Sequence, residues 1–261
     1  MIGILDSGLG GLTAARLLEN QLPEMDITYL GDTARFPYGS KSTDTIAEHV
    51  GQGIDFLVGR GADLIVLACV TSSSAWLATG GRKSIVPVVD AVTPAVNRVL
   101  TLPASRRIGV VGTQAAVRNR VFADLIRQQD PSAKVYEYDA PLLVPLIEDG
   151  WLARPETRMI VKKYLHPLKV RQIDALVMGC NHYALVKQII QRKISKRTTL
   201  VDCVSSVADS AKRYVDLHMR TGVLNRVNGS RTYYLTDLTY PIENKGKKMF
   251  GRDLTFQFLK L

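Results

Sequence analysis

Short apolar runs rich in β-branched residues recur along the chain, separated by amphipathic stretches of helical length, and this alternation narrows the available folds more than any other feature. The runs fall at 2–5, 26–30, 64–68, 85–89, 108–111, 134–138, 175–178 and 200–201, and the helical stretches at 11–20, 43–60, 94–99, 114–129, 155–168 and 205–220. Strand followed by helix, many times over, predicts an α/β chain whose mainly parallel sheets are flanked by helices. The 261 residues are enough for one large domain or two moderate ones. No low-complexity linker divides them, so any boundary lies in an ordered connection.

The chain also repeats itself. Ile2-Gly3-Ile4-Leu5-Asp6-Ser7 has a counterpart in Ile108-Gly109-Val110-Val111-Gly112-Thr113, each a strand ending in a small hydroxyl residue before a helix. Ala62-Asp63-Leu64-Ile65-Val66-Leu67-Ala68-Cys69 resembles Ile173-Asp174-Ala175-Leu176-Val177-Met178-Gly179-Cys180. Two similar α/β units follow, each with a cysteine at the carboxyl end of one strand.

Ligands of open parallel sheets bind outside the carboxyl ends of the strands. A thiol there, at a helix N-terminus, meets the positive end of the helix dipole, which favours the thiolate. A lone cysteine in an apolar strand is ordinarily a small core residue, but Cys69 and Cys180 stand at equivalent points of the two units. Cys203 has no such partner and reads as core. Three widely spaced cysteines without a Cys-x-x-Cys pair make neither a disulfide framework nor a thiolate zinc site, and reduced thiols are expected.

Asp6-Ser7-Gly8-Leu9-Gly10-Gly11 follows a strand and opens a helix, so its backbone N–H groups are suited to an anion. It is not a nucleotide fingerprint, because Thr13 stands where the third glycine belongs. A small carboxylate is the better occupant. Gly31-Asp32 and Pro37-Tyr38-Gly39-Ser40 supply a second loop of this kind, with a tyrosine hydroxyl available. Cys180-Asn181-His182-Tyr183 sets a thiol two residues from an imidazole, where His182 reads as a proton-transfer partner or as the cap of its helix. Zinc would need two further ligands that the spacing does not supply. Glu148 is a further carboxylate candidate.

The formal charge of +10 raises nucleic-acid binding, but the basic residues cluster only in short runs, at 106–107, 162–163, 192–197 and 245–248, without interleaved aromatics. A solvated basic surface is the better reading, and nucleic-acid contact is disfavoured. The first residues show no basic start or cleavage site, and no stretch reaches the roughly 20 apolar residues of a membrane span, so a cytoplasmic protein is expected.

Taken together, Asp6-Ser7-Gly8-Leu9-Gly10-Gly11-Leu12, Tyr29-Leu30-Gly31-Asp32-Thr33, Pro37-Tyr38-Gly39 with Ser42, Ala68-Cys69-x-Thr71, Glu148, and Gly179-Cys180-x-His182-Tyr183 resemble the cofactor-independent glutamate racemases of the aspartate/glutamate racemase superfamily. The resemblance runs, in order, from the first residues to about position 210. It implies two pseudo-symmetric α/β domains, residues 1–94 with 209–261 and residues 95–208, around an active-site cleft. It implies an isomerase that needs no cofactor and no metal and interconverts L- and D-glutamate for peptidoglycan. One cysteine takes the Cα proton and the other returns one to the opposite face, since a single base would return it with retention. Carried over, Cys69 and Cys180 form that pair, assisted by Asp6 and His182. Asp6, Ser7, Tyr38, Gly39, Thr71 and His182 hold the substrate, and Asp32 and Glu148 are auxiliary carboxylates. A homodimer is the expected assembly.

Two substrate-facing positions depart from the family. Val70 replaces the usual Asn after the first cysteine, and Asn181 the usual Thr after the second. Asn181 offers a donor and an acceptor, whereas Val70 offers neither. A lost hydrogen bond to a carboxylate is worth roughly 1.5–3 kcal/mol, or about 10–150-fold, so Val70→Asn is expected to raise kcat/KM for glutamate. A racemase of aspartate or another amino acid, or a catalytically weak homologue with a binding role, are the alternatives. Ser72-Ser73-Ser74 is also more polar than the family's usual helix start.

Overall fold

A computed structural model describes residues 1–81, 84–103, 106–221, 229–238, 246–247 and 250–261. The strands are β1 (Ile2–Asp6), β2 (Ile27–Gly31), β3 (Leu64–Leu67), β4 (Val88–Asp90), β5 (Arg107–Gly112), β6 (Lys134–Asp139), β7 (Ala175–Gly179), β8 (Thr199–Asp202), β9 (Arg231–Leu235) and β10 (Gln257–Phe258). The helices are α1 (Leu12–Gln21), α2 (Thr43–Gly59), α3 (Val70–Ala78), α4 (Thr93–Leu100), α5 (Gln114–Arg118), α6 (Val121–Gln129), α7 (Leu143–Glu148), α8 (Pro155–Val170), α9 (Lys187–Ile194) and α10 (Cys203–Arg220).

All strand pairings are parallel. One sheet has the order β10-β9-β2-β1-β3-β4 and the other β6-β5-β7-β8. The internal repeat is thereby explained: β2-β1-β3-β4 and β6-β5-β7-β8 are the same arrangement built twice. β1, β3 and β7 are buried along their whole length, as continuous apolar runs must be when helices cover both faces. β5 to β8 lie within residues 95–208, and the strands of the larger sheet within 1–94 and 209–261.

The two units share a core. Ile2 and Ile4 of β1, Ile108 and Val110 of β5, and Val177 of β7 belong to one buried apolar cluster with side chains of α1, α4 and α10. α10 packs on both α1 and α4. α2 covers the outer face of the larger sheet and α8 that of the smaller. No helix among the described residues is long and apolar enough to cross a membrane.

Several elements differ from expectation. The stretch 114–129 is two helices, because Arg120 adopts a left-handed φ of 55° between α5 and α6. The run at 85–89 becomes a strand only from Val88, and Ile85 is exposed. The helix start placed after Cys69 becomes α3, a helix that no amphipathic pattern marks. Its first six residues are all buried. Two of the three serines are accommodated by backbone: Ser73 Oγ donates to the Leu67 carbonyl and accepts from Ala91 N–H, and Ser74 Oγ donates to the Ala116 carbonyl. The basic runs 162–163 and 192–197 lie on α8 and at the end of α9, and the run 245–248 lies partly outside the described residues.

Candidate active site

The carboxyl ends of β1, β3, β5 and β7 converge on one cavity of about 390 Å³, within the range of small-molecule sites. Ser7 follows β1, Cys69 β3, Thr113 β5 and Cys180 β7, and all four line it. Tyr38, Gly39, Thr71, Asn181, His182 and Glu148 line it as well. Both repeated cysteines thus reach one space from separate sheets. Cys203 is instead buried in the shared core.

Cys69 is the N-cap of α3, accepting from Ser72 N–H at 3.4 Å, and its Sγ lies 3.3 Å from Ser7 Oγ. Burial pushes this thiol up to about 11, as does the nearby Asp6 carboxylate, against the opposing hydrogen bonds from Ser7 and Ser72. Around Cys180 the environment differs. Its Sγ lies 3.7 Å from Asn181 Oδ1 and 3.8 Å from His182 Nδ1. The other ring nitrogen, Nε2, pairs with Glu148 Oε1 at 2.6 Å. Burial works against a charged imidazole, but the hydrogen bonds to Cys180 and Glu148 outweigh it and push His182 up to about 10. His182 is therefore a cation at neutral pH, fixed between the thiol and a carboxylate.

Gly8 to Gly11 of the loop after β1 do not line the cavity. The Gly8 N–H donates to Asp6 Oδ2 at 2.9 Å, and Gly11 N–H also bonds this carboxylate. The anion held by the loop is thus the protein's own Asp6. The glycines serve close packing: a Cβ on Gly10 would stand 2.5 Å from His182 Cε1, and one on Gly11 2.6 Å from Asp6 Cβ. Asp6 is buried behind Ser7 rather than in the cavity wall. Burial raises its carboxyl above the ordinary range, opposed by the charge on His182, the loop N–H groups and the Asn181 amide.

Tyr38 lines the cavity, but its hydroxyl donates to Asp32 Oδ2. Asp32 is buried behind it and also receives Arg35 Nε at 2.6 Å and Thr236 Oγ1 at 2.9 Å. Asp32 therefore fixes the wall of the cavity. Val70 is turned away: it is 1% exposed, belongs to the shared core, and is absent from the lining. Phe36, Gln114, Pro141, Val144 and Asp149 line the cavity without a sequence motif that marks them. Thr113 is marked as the repeat's counterpart of Ser7; its hydroxyl meets that of Thr71 at 2.8 Å.

Among the described residues, no group of three or more His, Cys, Asp and Glu side chains is arranged to hold a metal ion. None of the basic runs contributes to the cavity lining. Two thiols on opposite units, one beside a carboxylate and the other beside an imidazolium, with hydroxyl and amide donors between them, can move protons at a small anionic molecule.

Comparison with known proteins agrees with that chemistry. The Asp/Glu/hydantoin racemase family profile matches residues 13–211. The chain belongs to this family. It is an isomerase of the racemase class. Glutamate racemase of Neisseria gonorrhoeae is 36% identical over 260 residues, covering 97% of this chain and 93% of the relative. A crystal structure of a glutamate racemase isoform from Bacillus anthracis superposes with a TM-score of 0.91 at 27% identity, covering 100% of this chain and 97% of its own. That of Francisella tularensis glutamate racemase in complex with D-glutamate gives 0.89 at 29% identity, covering 99% and 97%.

Proposed function

We propose that this racemase interconverts L- and D-glutamate by proton transfer at Cα between Cys69 and Cys180, supplying D-glutamate for peptidoglycan. The observation that carries the reading is that the two thiols, at equivalent strand ends of two similar units, line one cavity. The thiolate of one takes the Cα proton, leaving a planar carbanion, and the thiol of the other delivers a proton to the opposite face. Each turnover exchanges the protonation states of the two sulfurs, and the reverse reaction restores them. No redox step or cofactor enters.

Asp6 and His182 assist the two thiols as proton carriers and as fixed charges. Ser7 and Thr71 supply O–H donors to the substrate's carboxylates, and Tyr38 and Gly39 form the facing wall. Asp32 and Glu148 act through Tyr38 and His182. The domains are residues 1–94 with 209–261 and residues 95–208, one cysteine on each. We further infer a cytoplasmic protein, since free thiols such as these persist where thiols are kept reduced.

An enzyme-coupled assay for D-glutamate formed from L-glutamate tests the reading, with aspartate as the competing substrate. Cys69→Ser and Cys180→Ser are each expected to lose at least about 10²-fold in rate. A parent that turns over neither amino acid, or serine variants as active as the parent, would overturn it. Turnover of aspartate in preference to glutamate would reassign the substrate.

A further inference from the structure

Asn181 connects the two units at the cavity, as the Thr71–Thr113 pair does. It follows β7 of the smaller sheet and is 3% exposed. Its Nδ2 donates to Oδ1 of Asp6, at the end of β1 in the larger sheet, at 2.7 Å. Its Oδ1 accepts from the backbone N–H of His182 at 3.1 Å, and lies 3.2 Å from His182 Nδ1 and 3.7 Å from Cys180 Sγ. The orientation of the amide is dictated at both ends, because a carboxylate only accepts and a backbone N–H only donates.

We propose that Asn181 is a positioning residue, whose carboxamide ties the Asp6 carboxylate of one unit to the Cys180–His182 group of the other and so aligns the two halves of the proton-transfer apparatus. The inference rests on the racemase reading above. Few side chains can do this. A carboxamide presents donor and acceptor on separate atoms facing opposite ways. A threonine has one hydroxyl, set closer to the backbone, and cannot span the same two partners. An aspartate would bring a second carboxylate against Asp6 and lose the donor.

The groups facing Asp6 are His182 from the smaller unit, Cys69 at the end of β3 and Tyr29 of β2, along with the N–H groups of Gly8 and Gly11. Asn181 adds an uncharged side-chain donor to the carboxylate at 2.7 Å, beside the Tyr29 hydroxyl. Removing it takes one hydrogen bond from the ionised form, so Asp6 should protonate about one to two pH units higher.

The test uses full-length Asn181→Ala and Asn181→Thr, with folding checked by thermal unfolding. The Asp6 carboxyl is titrated by ¹³C NMR without substrate, and kcat/KM for glutamate is measured across pH in both directions. The expected result is an upward move of about one to two units in the Asp6 midpoint and in the acid limb of kcat/KM, with kcat falling more than KM rises. Should Asn181→Ala not fold, the threonine variant carries the same readouts. An Asp6 midpoint and acid limb that match the parent in a folded variant overturn the proposal. Failure of the parent to turn over glutamate would overturn the functional reading instead, and the substrate-free titration would still decide the role of Asn181.

Discussion

Glu148→Gln removes one charge from the 2.6 Å pair with His182 while keeping size and shape, and its effect on stability should depend on pH in a defined window. Both side chains are largely buried, at 3% and 12% exposure, so solvent screens the pair little. His182 protonates at about 10 in the folded protein against 6.5 for the unperturbed side chain. A raised folded pKa means that the stabilisation is fully present below about 6.5 and is lost as pH rises through about 10. The whole interval corresponds to roughly 5 kcal/mol at 1.36 kcal/mol per unit, the net of the contacts with Cys180 and Glu148 over the opposing cost of burial. Assigning Glu148 one charged hydrogen bond, roughly 1.5–3 kcal/mol, Glu148→Gln should be destabilised by that amount at pH 6.5. The deficit should shrink toward zero by pH 10, and the His182 midpoint should fall by about one to two units. Urea unfolding at pH 6.5, 8, 9 and 10, with NMR titration of the His182 ring, measures both. A stability difference that stays constant from pH 6.5 to 10 would refute the reasoning, because it would show that the pair is not held by charge.

Two other outcomes follow from the same geometry. Because burial pushes the Cys69 thiol up to about 11, its alkylation by iodoacetamide in a Cys180→Ser background should be slow at pH 7 and rise about tenfold per pH unit toward pH 11; a plateau near neutral pH would show a thiolate already formed. Val70→Asn, read from the sequence as restoring a substrate contact, would instead bury an amide in the shared core that holds Val70. A loss of about 1–3 kcal/mol in unfolding free energy with no gain in kcat/KM for glutamate is expected, and a rise in kcat/KM would show that the side chain reaches the cavity.

The legible parts were those where local chemistry and position coincide. Cys69 and Cys180 stood out because each ends a strand of a repeated unit, and the end of a strand is where a parallel sheet exposes side chains to a ligand. α3 was legible only at its start, because its helicity comes from burial on all sides and from backbone partners found elsewhere. β9 carries a β-favouring Thr-Tyr-Tyr stretch but lies outside the repeat that marks the other central strands. The loop Gly8–Gly11 showed its anion-binding chemistry but not which anion. Asp6 fills it, a fact that depends on the side chain folding back onto its own loop.

The alternation of runs, the duplicated strand ends and the placement of two thiols are properties of the chain read in order, since periodicity and spacing are local. They sufficed for the α/β class, two similar units and the racemase resemblance. Contacts between residues far apart in sequence belonged to the tertiary structure. Asn181 meets Asp6 across 175 positions, Glu148 meets His182 across 34, and Thr71 meets Thr113 across 42. Which proton sits where depends on these pairings, because desolvation and neighbouring charge act over a few ångströms of space and not along the chain.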